Sequence, residues 1–115
     1  MVTLYGIKNC DSVKKARKWL EAHDIDYCFH DFRADGINAQ QINSWLEALG
    51  WETLVNKRST TWKQLSEATR LAMDAKLAAK QLLEQPTLIK RPLLDTGKAY
   101  RVGFKDSDYQ QIFNS

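Results

Sequence analysis

The chain is short of cysteine: only Cys10 and Cys28 occur in 115 residues, 18 apart, with no Cys-x-x-Cys and no Cys/His cluster. That spacing excludes a disulfide scaffold and a structural zinc site, so any thiol chemistry starts from single sulfurs. No run approaches the ~18 consecutive apolar residues of a membrane span. Met1 to Tyr5 passes straight into a strand-like pattern without a charged leader and an apolar signal core, so a cytoplasmic protein is expected. Low-complexity segments, Gly/Ser linkers and repeats with a period of roughly 20–50 residues are absent as well. There is no Gly-rich phosphate loop and no HExxH-type spacing, so neither a nucleotide nor a metal is expected.

Charge of one sign is also scarce. Seventeen Lys and Arg oppose 14 Asp and Glu, a net charge of +3. The excess is spread along the chain rather than gathered into the basic stripe that nucleic-acid binding needs, and nucleic acid is not an expected partner. Trp45, Trp51 and Trp62 lack an accompanying basic motif and read as packing residues rather than a base-stacking platform. With 43% hydrophobic and 27% charged residues the composition is ordinary for a globular protein. A chain of this length buries roughly two-thirds of its unfolded surface, enough for one core, so a single domain over residues 1–115 is expected.

Val2 to Tyr5 is a β-type run ended by Gly6, and from Asp11 to His23 the residues Val13, Ala16 and Leu20 share one helical face. Lys14, Lys15, Arg17 and Lys18 occupy the opposite face, where solvated charge is normal. Ile25 to His30 resembles a second strand, broken at Arg33 to Gly36. Asn38 with Gln41 three residues on predicts a capped helix carrying Ile42, Trp45, Leu46 and Leu49 up to Gly50. From Trp51 to Gln85 the pattern stays helical but fragmented. Asp74 is a candidate cap for a segment with Leu77, Ala78 and Leu82, and Pro86 closes the block. Arg91 to Asp95 and Lys98 to Val102, joined by Thr96-Gly97, predict a hairpin, and Asp106 or Ser107 is expected to cap a last helix with Tyr109, Ile112 and Phe113 inward. A βαβ unit, a helical block over about 38–85 and a ββα unit describe an α/β, thioredoxin-like fold with a helical insertion.

Cys10 falls between the first strand and the first helix, where unpaired N–H groups and the helix dipole favour an anion such as a thiolate. It is the candidate catalytic nucleophile. Asp11 opposes that effect unless it caps the helix. Cys28, inside an aromatic strand and away from a helix N-terminus, reads as a buried structural thiol. Valine at position 13 removes the second thiol of a Cys-x-x-Cys pair, so the thiol that resolves a mixed disulfide on Cys10 comes from elsewhere: glutathione is the abundant cytoplasmic candidate, and Cys28 is a remote second if the sheet brings the two sulfurs within bonding reach. Arg58, Arg91 and Arg101 lie outside the regular helical patterns. Arginines there are usually solvated, yet three converging on one thiol form an anion site, and spacing leaves both open.

Three segments together resemble the arsenate reductase/Spx family, most nearly its YffB branch. They are Gly6-Ile7-Lys8-Asn9-Cys10-Asp11-Ser12-Val13-Lys14-Lys15-Ala16; Val55-Asn56-Lys57-Arg58 followed by Thr60-Thr61-Trp62; and Lys90-Arg91-Pro92 with Arg101-Val102-Gly103-Phe104. The resemblance spans essentially the whole chain. It implies a thioredoxin-like fold, a nucleophilic Cys10, an anion pocket of Arg58, Arg91 and Arg101, and a cis peptide at Pro92. In relatives of this fold the backbone before the cis-proline pairs with the cysteinyl part of bound glutathione, which implies that role for the main chain of Arg91.

Two departures from the family's patterns rank the readings. Arsenate reductases of the family have His-Asn-Pro where this chain has Gly6-Ile7-Lys8, and Gly-Thr-Ser-Arg where it has Asp11-Ser12-Val13-Lys14. An acidic Asp11 repels an arsenate oxyanion. Spx regulators, which bind RNA polymerase, commonly carry the Cys-x-x-Cys switch that Val13 removes. The leading expectation is therefore a glutathione-dependent thiol-disulfide oxidoreductase acting through Cys10, with Arg58, Arg91, Pro92 and Arg101 binding glutathione or substrate. The alternatives are an arsenate reductase and an Spx-like, non-enzymatic RNA polymerase-binding regulator, the latter using the lysine-rich face of the first helix.

Overall fold

A computed structural model describes residues 2–114. In chain order the elements are β1 (Val2–Gly6), α1 (Asp11–Ala22), β2 (Tyr27–Asp31), α2 (Ala39–Leu49), α3 (Trp51–Leu54), α4 (Thr60–Gln64), α5 (Glu67–Leu71), α6 (Ala75–Glu84), a 3-10 turn (Pro86–Leu88), β3 (Leu93–Asp95), β4 (Tyr100–Val102) and α7 (Asp106–Asn114). The chain divides into two compact units, one running to Ala34 and resuming at Arg91, the other Asp35–Lys90. No helix among the described residues is long and apolar enough to cross a membrane.

The first unit is a four-stranded sheet in the order β2-β1-β3-β4. β1 and β2 run parallel, joined through α1, while β3 is antiparallel to both β1 and β4. This βαβ unit joined to a ββα unit is the thioredoxin-like arrangement. Its core follows from the helical period of α1, where Val13, Ala16, Trp19 and Leu20 are buried. They meet Leu4 of β1, Leu94 of β3 and Tyr109 of α7, with Cys10, Phe29, Phe104, Ile112 and Phe113 packed around them. Edge-on aromatic contacts tie α7 into this cluster, with Tyr109 5.4 Å from Trp19 and 4.8 Å from Phe104 between ring centroids.

Gly6 packs tightly against this cluster. A Cβ built on it would lie 2.6 Å from Cγ2 of Val13, closer than non-bonded carbons approach. The absence of a side chain therefore lets the first turn of α1 sit directly on the carboxyl end of β1.

Three local expectations need correction. Cys28 is exposed rather than buried. β2 lies at the sheet edge, and strand alternation turns Cys28 away from the face on which Tyr27 and Phe29 pack against the core. Neither Asp106 nor Ser107 precedes α7; Asp106 opens the helix itself, and the Tyr109 N–H already donates to the Lys105 carbonyl at 3.1 Å. Both residues thus lie in the first turn, where the Asp106 carboxylate still meets the positive end of the helix. Pro92 precedes β3 instead of lying within it.

The second unit is held at its N-terminal end by the expected capping box: the Gln41 N–H donates to Asn38 Oδ1 at 2.8 Å and the Asn38 N–H to Gln41 Oε1 at 3.0 Å. Gly50, at φ 82°, ends α2. The fragmentation that follows has a cause in each cap. Ser59 accepts from the Trp62 N–H, Ser66 from the Thr69 N–H and Asp74 from the Leu77 N–H, so three helices start within sixteen residues. The block closes on itself where the Asn56 N–H donates to the Leu88 carbonyl and the Lys90 N–H to the Leu54 carbonyl, both at 2.8 Å. Leu54, Val55, Leu82, Leu88 and Ile89 are buried beneath that closure.

Replacing Gly6 by Ala forces Val13 or β1 to move, and overpacking of this kind costs about 1–3 kcal/mol. The G6A protein should show a lower urea midpoint with an unchanged m value; a midpoint equal to that of the unaltered protein contradicts the tight contact.

Candidate active site

Beyond Gly6 a short loop leads to α1: Ile7 is buried, Lys8 and Asn9 are exposed, and Cys10 is half-buried. Cys10 is the N-cap residue, with φ −128° and ψ 123°, and its carbonyl accepts the first helical bond from the Lys14 N–H at 3.0 Å. Its side chain makes no capping hydrogen bond. The sulfur thus stands at the positive end of a 12-residue helix without being engaged in closing it. Asp11 is exposed in the first turn.

The sheet register brings further residues to the same end. Tyr5 pairs with Leu93, so the two residues before β3, Arg91 and Pro92, lie beside the Gly6 end of β1. The Arg91–Pro92 peptide bond is cis, as the resemblance implies. The Gly103 N–H donates to the Pro92 carbonyl at 2.9 Å and pins the end of the hairpin there. Arg91 is half-buried, whereas Arg101 is exposed on β4 opposite Leu94. Directly paired residues share a sheet face, so Arg101 projects on the side of Leu4 and Leu94, the side that α1 covers and against which Cys10 packs.

Arg58 belongs to the other compact unit. It is exposed in the loop Asn56–Ser59, which Asn56 organises: Oδ1 accepts from the Arg58 N–H at 3.0 Å, and the Asn56 carbonyl accepts from the Ser59 N–H and hydroxyl. The neighbouring Lys57 ammonium lies 5.1 Å from the Trp51 ring centroid and 5.8 Å from that of Trp62, which assigns those tryptophans to cation–π packing. Among the described residues no group of three or more His, Cys, Asp or Glu side chains is arranged to hold a metal ion.

Sequence reasoning passed over Asp31, the last residue of β2 and the buried charged side chain of the first unit, 7% exposed. Its Oδ1 accepts from the Arg33 N–H at 2.8 Å and the Ala34 N–H at 3.2 Å. The bond from Arg33 foremost, then that from Ala34 and the charges of Lys8 and Arg33, hold the carboxyl below its ordinary value, against burial, which raises it. An aspartate just before the Arg33–Gly36 break is an Asx-turn signal that was available in the sequence.

Because the folded value lies below the unfolded one, the Asp31 carboxylate contributes stability that is fully present above its ordinary 3.8 and is lost as pH falls through the lower folded value. Asp31→Asn should therefore lose less stability than the unaltered protein between pH 6 and pH 3 in urea titrations. Equal acid losses in the two proteins contradict this contribution.

The ArsC family model matches residues 5–112. The chain is similar to an uncharacterised protein of Haemophilus influenzae, at 49% identity over 98% of this chain and 99% of that one. It is 31% identical to the global transcriptional regulator Spx of Listeria innocua, over 97% of this chain and 86% of the regulator. Among solved structures, a YffB protein superposes with a TM-score of 0.92 at 42% identity, covering 96% of this chain and 97% of that one.

Proposed function

The chain belongs to the ArsC family, and from that membership we propose that it is a thiol-disulfide oxidoreductase acting through Cys10 with glutathione as co-substrate. The observation that carries the reading is the Cys10 sulfur at the N-terminus of α1, outside any capping bond and at the sheet end shared with Arg91 and Pro92. The reading belongs in the cytoplasm, where glutathione is the abundant thiol.

In the first step the Cys10 thiolate attacks one sulfur of a substrate disulfide. The S–S bond breaks, the departing thiolate takes a proton from solvent, and a mixed disulfide forms on Cys10. A glutathione thiolate then attacks the substrate-side sulfur of that adduct. Cys10 leaves as the thiolate, and the substrate half departs as a mixed disulfide with glutathione. An outside thiol is required because Val13 is wholly buried against Gly6 and offers no sulfur. Cys28 faces the other side of the sheet from the one on which Cys10 packs. Arg91 and Arg101 bind carboxylates of glutathione, the planar guanidinium matching a carboxylate with two parallel bonds. The main chain of Arg91, next to Pro92, holds the cysteinyl part of the tripeptide.

Arsenate reduction ranks lower because the exposed Asp11 carboxylate adjoins Cys10 and opposes an incoming oxyanion. The Spx-like reading ranks lower because the position of a second switch thiol is the buried Val13.

The test is steady-state glutathione oxidation with a small mixed disulfide, and separately with arsenate. C10S should lose turnover while C28S keeps it; turnover retained by C10S contradicts the proposal. Oxidation driven by arsenate alone moves the arsenate reading forward, and a protein inert in both assays that retains RNA polymerase in a salt-dependent pull-down moves the Spx-like one forward. R101A should raise the KM for glutathione about tenfold or more with a smaller change in kcat, the loss of a hydrogen bond to a charged group being about 1.5–3 kcal/mol. An unchanged KM removes Arg101 from the binding site.

A further inference from the structure

Gly6 is held from two sides. Val13 of α1 fills the space beside its Cα, and its carbonyl accepts a 2.8 Å hydrogen bond from the Phe32 N–H. Phe32 is 2% exposed and follows directly on Asp31, which pairs in register with Gly6 at the ends of the two parallel strands. The Phe32 ring also stacks on Tyr5, at 6.3 Å between centroids. The direction in which the chain leaves β1 toward Cys10 thus depends on the turn that follows β2. That turn is closed by the Asp31 carboxylate, whose Oδ1 gathers the Arg33 and Ala34 N–H groups. Lys8, in the loop between Gly6 and Cys10, lies within electrostatic reach of the same carboxylate.

We propose that Asp31 is a positioning residue for Cys10: by accepting the two turn N–H groups it holds Phe32 against Gly6 and so sets where the Cys10 loop leaves β1. It does not touch the substrate. The inference rests on the reading of Cys10 as the nucleophile and adds a residue from a different strand to the site. An asparagine at this position keeps the side-chain oxygen that accepts both bonds, while alanine leaves the two N–H groups without their acceptor. A shift of the loop moves the sulfur relative to the helix N-terminus and to an approaching disulfide, and displacements near 1 Å are enough to cost large factors in rate.

The experiment uses the full chain with C28S as background, so that Cys10 is the only thiol. Rates of Cys10 alkylation by iodoacetamide and of adduct formation with glutathione disulfide are measured for the background protein and with D31A or D31N added. D31L, which fills the buried volume without an acceptor, replaces D31A if the alanine variant does not fold. The proposal expects D31A or D31L, folded by circular dichroism, to react about tenfold more slowly with both reagents, and D31N to react within about threefold of the background protein. It is overturned if the folded variant lacking the acceptor reacts at the background rate. It is likewise overturned if D31N is as slow as D31A, or if neither D31A nor D31L folds, since the role is then one of charge or of global stability. A background protein that is alkylated at Cys10 but takes up no glutathione contradicts the glutathione reading and leaves the comparison of alkylation rates intact.

Discussion

The contact between Gly6 and Val13 is the constraint from which the site is built. With 2.6 Å between a notional Cβ and Val13 Cγ2, only glycine lets the helix start so close to the end of the central strand. That closeness fixes the connecting loop between two well-packed points. Cys10 therefore falls at the N-cap, not in mid-loop or inside the helix. A sulfur one residue earlier would lie away from the helix N–H groups, and one residue later it would enter the helix itself. The same contact places a buried branched side chain at position 13, where Val13 is part of the core and no second thiol stands on this turn.

Everything else at this end of the sheet follows from strand register. β1 and β2 end together at Gly6 and Asp31, and β3 begins beside them, so the thiol loop, the Asp31 turn and the Arg91–Pro92 bond share one end of the sheet although they are far apart in sequence. Strands that finish together leave their connections at a common edge, which is where α/β folds gather reactive groups. The chemistry proposed there uses few parts: one sulfur at a helix terminus, cationic side chains that match carboxylates, and an outside thiol that completes the exchange.

Much of this was legible from local patterns. The Asn38/Gln41 capping box, the Asp74 cap, the buried stripe of Val13, Ala16 and Leu20, and the placement of Cys10 before a helix all depend on residues a few positions apart. What escaped depends on distant pairing. Cys28 was expected to be buried because its neighbours are aromatic, but its place in the sheet decides its exposure: β2 is an edge strand, paired with β1, and alternation turns Cys28 off the face that packs on α1. Asp31 matters because its strand ends beside Gly6, 25 positions earlier, a relation no local window contains. Trp19 joins the core on the same helical stripe that was read for its smaller neighbours, through rings contributed by α7 at the other end of the chain. The helical block from Trp51 on was visibly fragmented, yet its starting points rest on Ser59 and Ser66, serines that look like any others until their oxygens are seen to accept from the chain three residues on.

In the proposed chemistry, position in the fold, and not accessibility, makes Cys10 the reactive thiol. The protein offers its own control, because Cys28 is the more exposed of the two. The most direct test is to incubate the reduced, unaltered protein with glutathione disulfide and locate the adduct by peptide mass analysis. One glutathione per chain is expected, on Cys10, with Cys28 free at early times. An adduct that forms first on Cys28 and leaves Cys10 unmodified would contradict it.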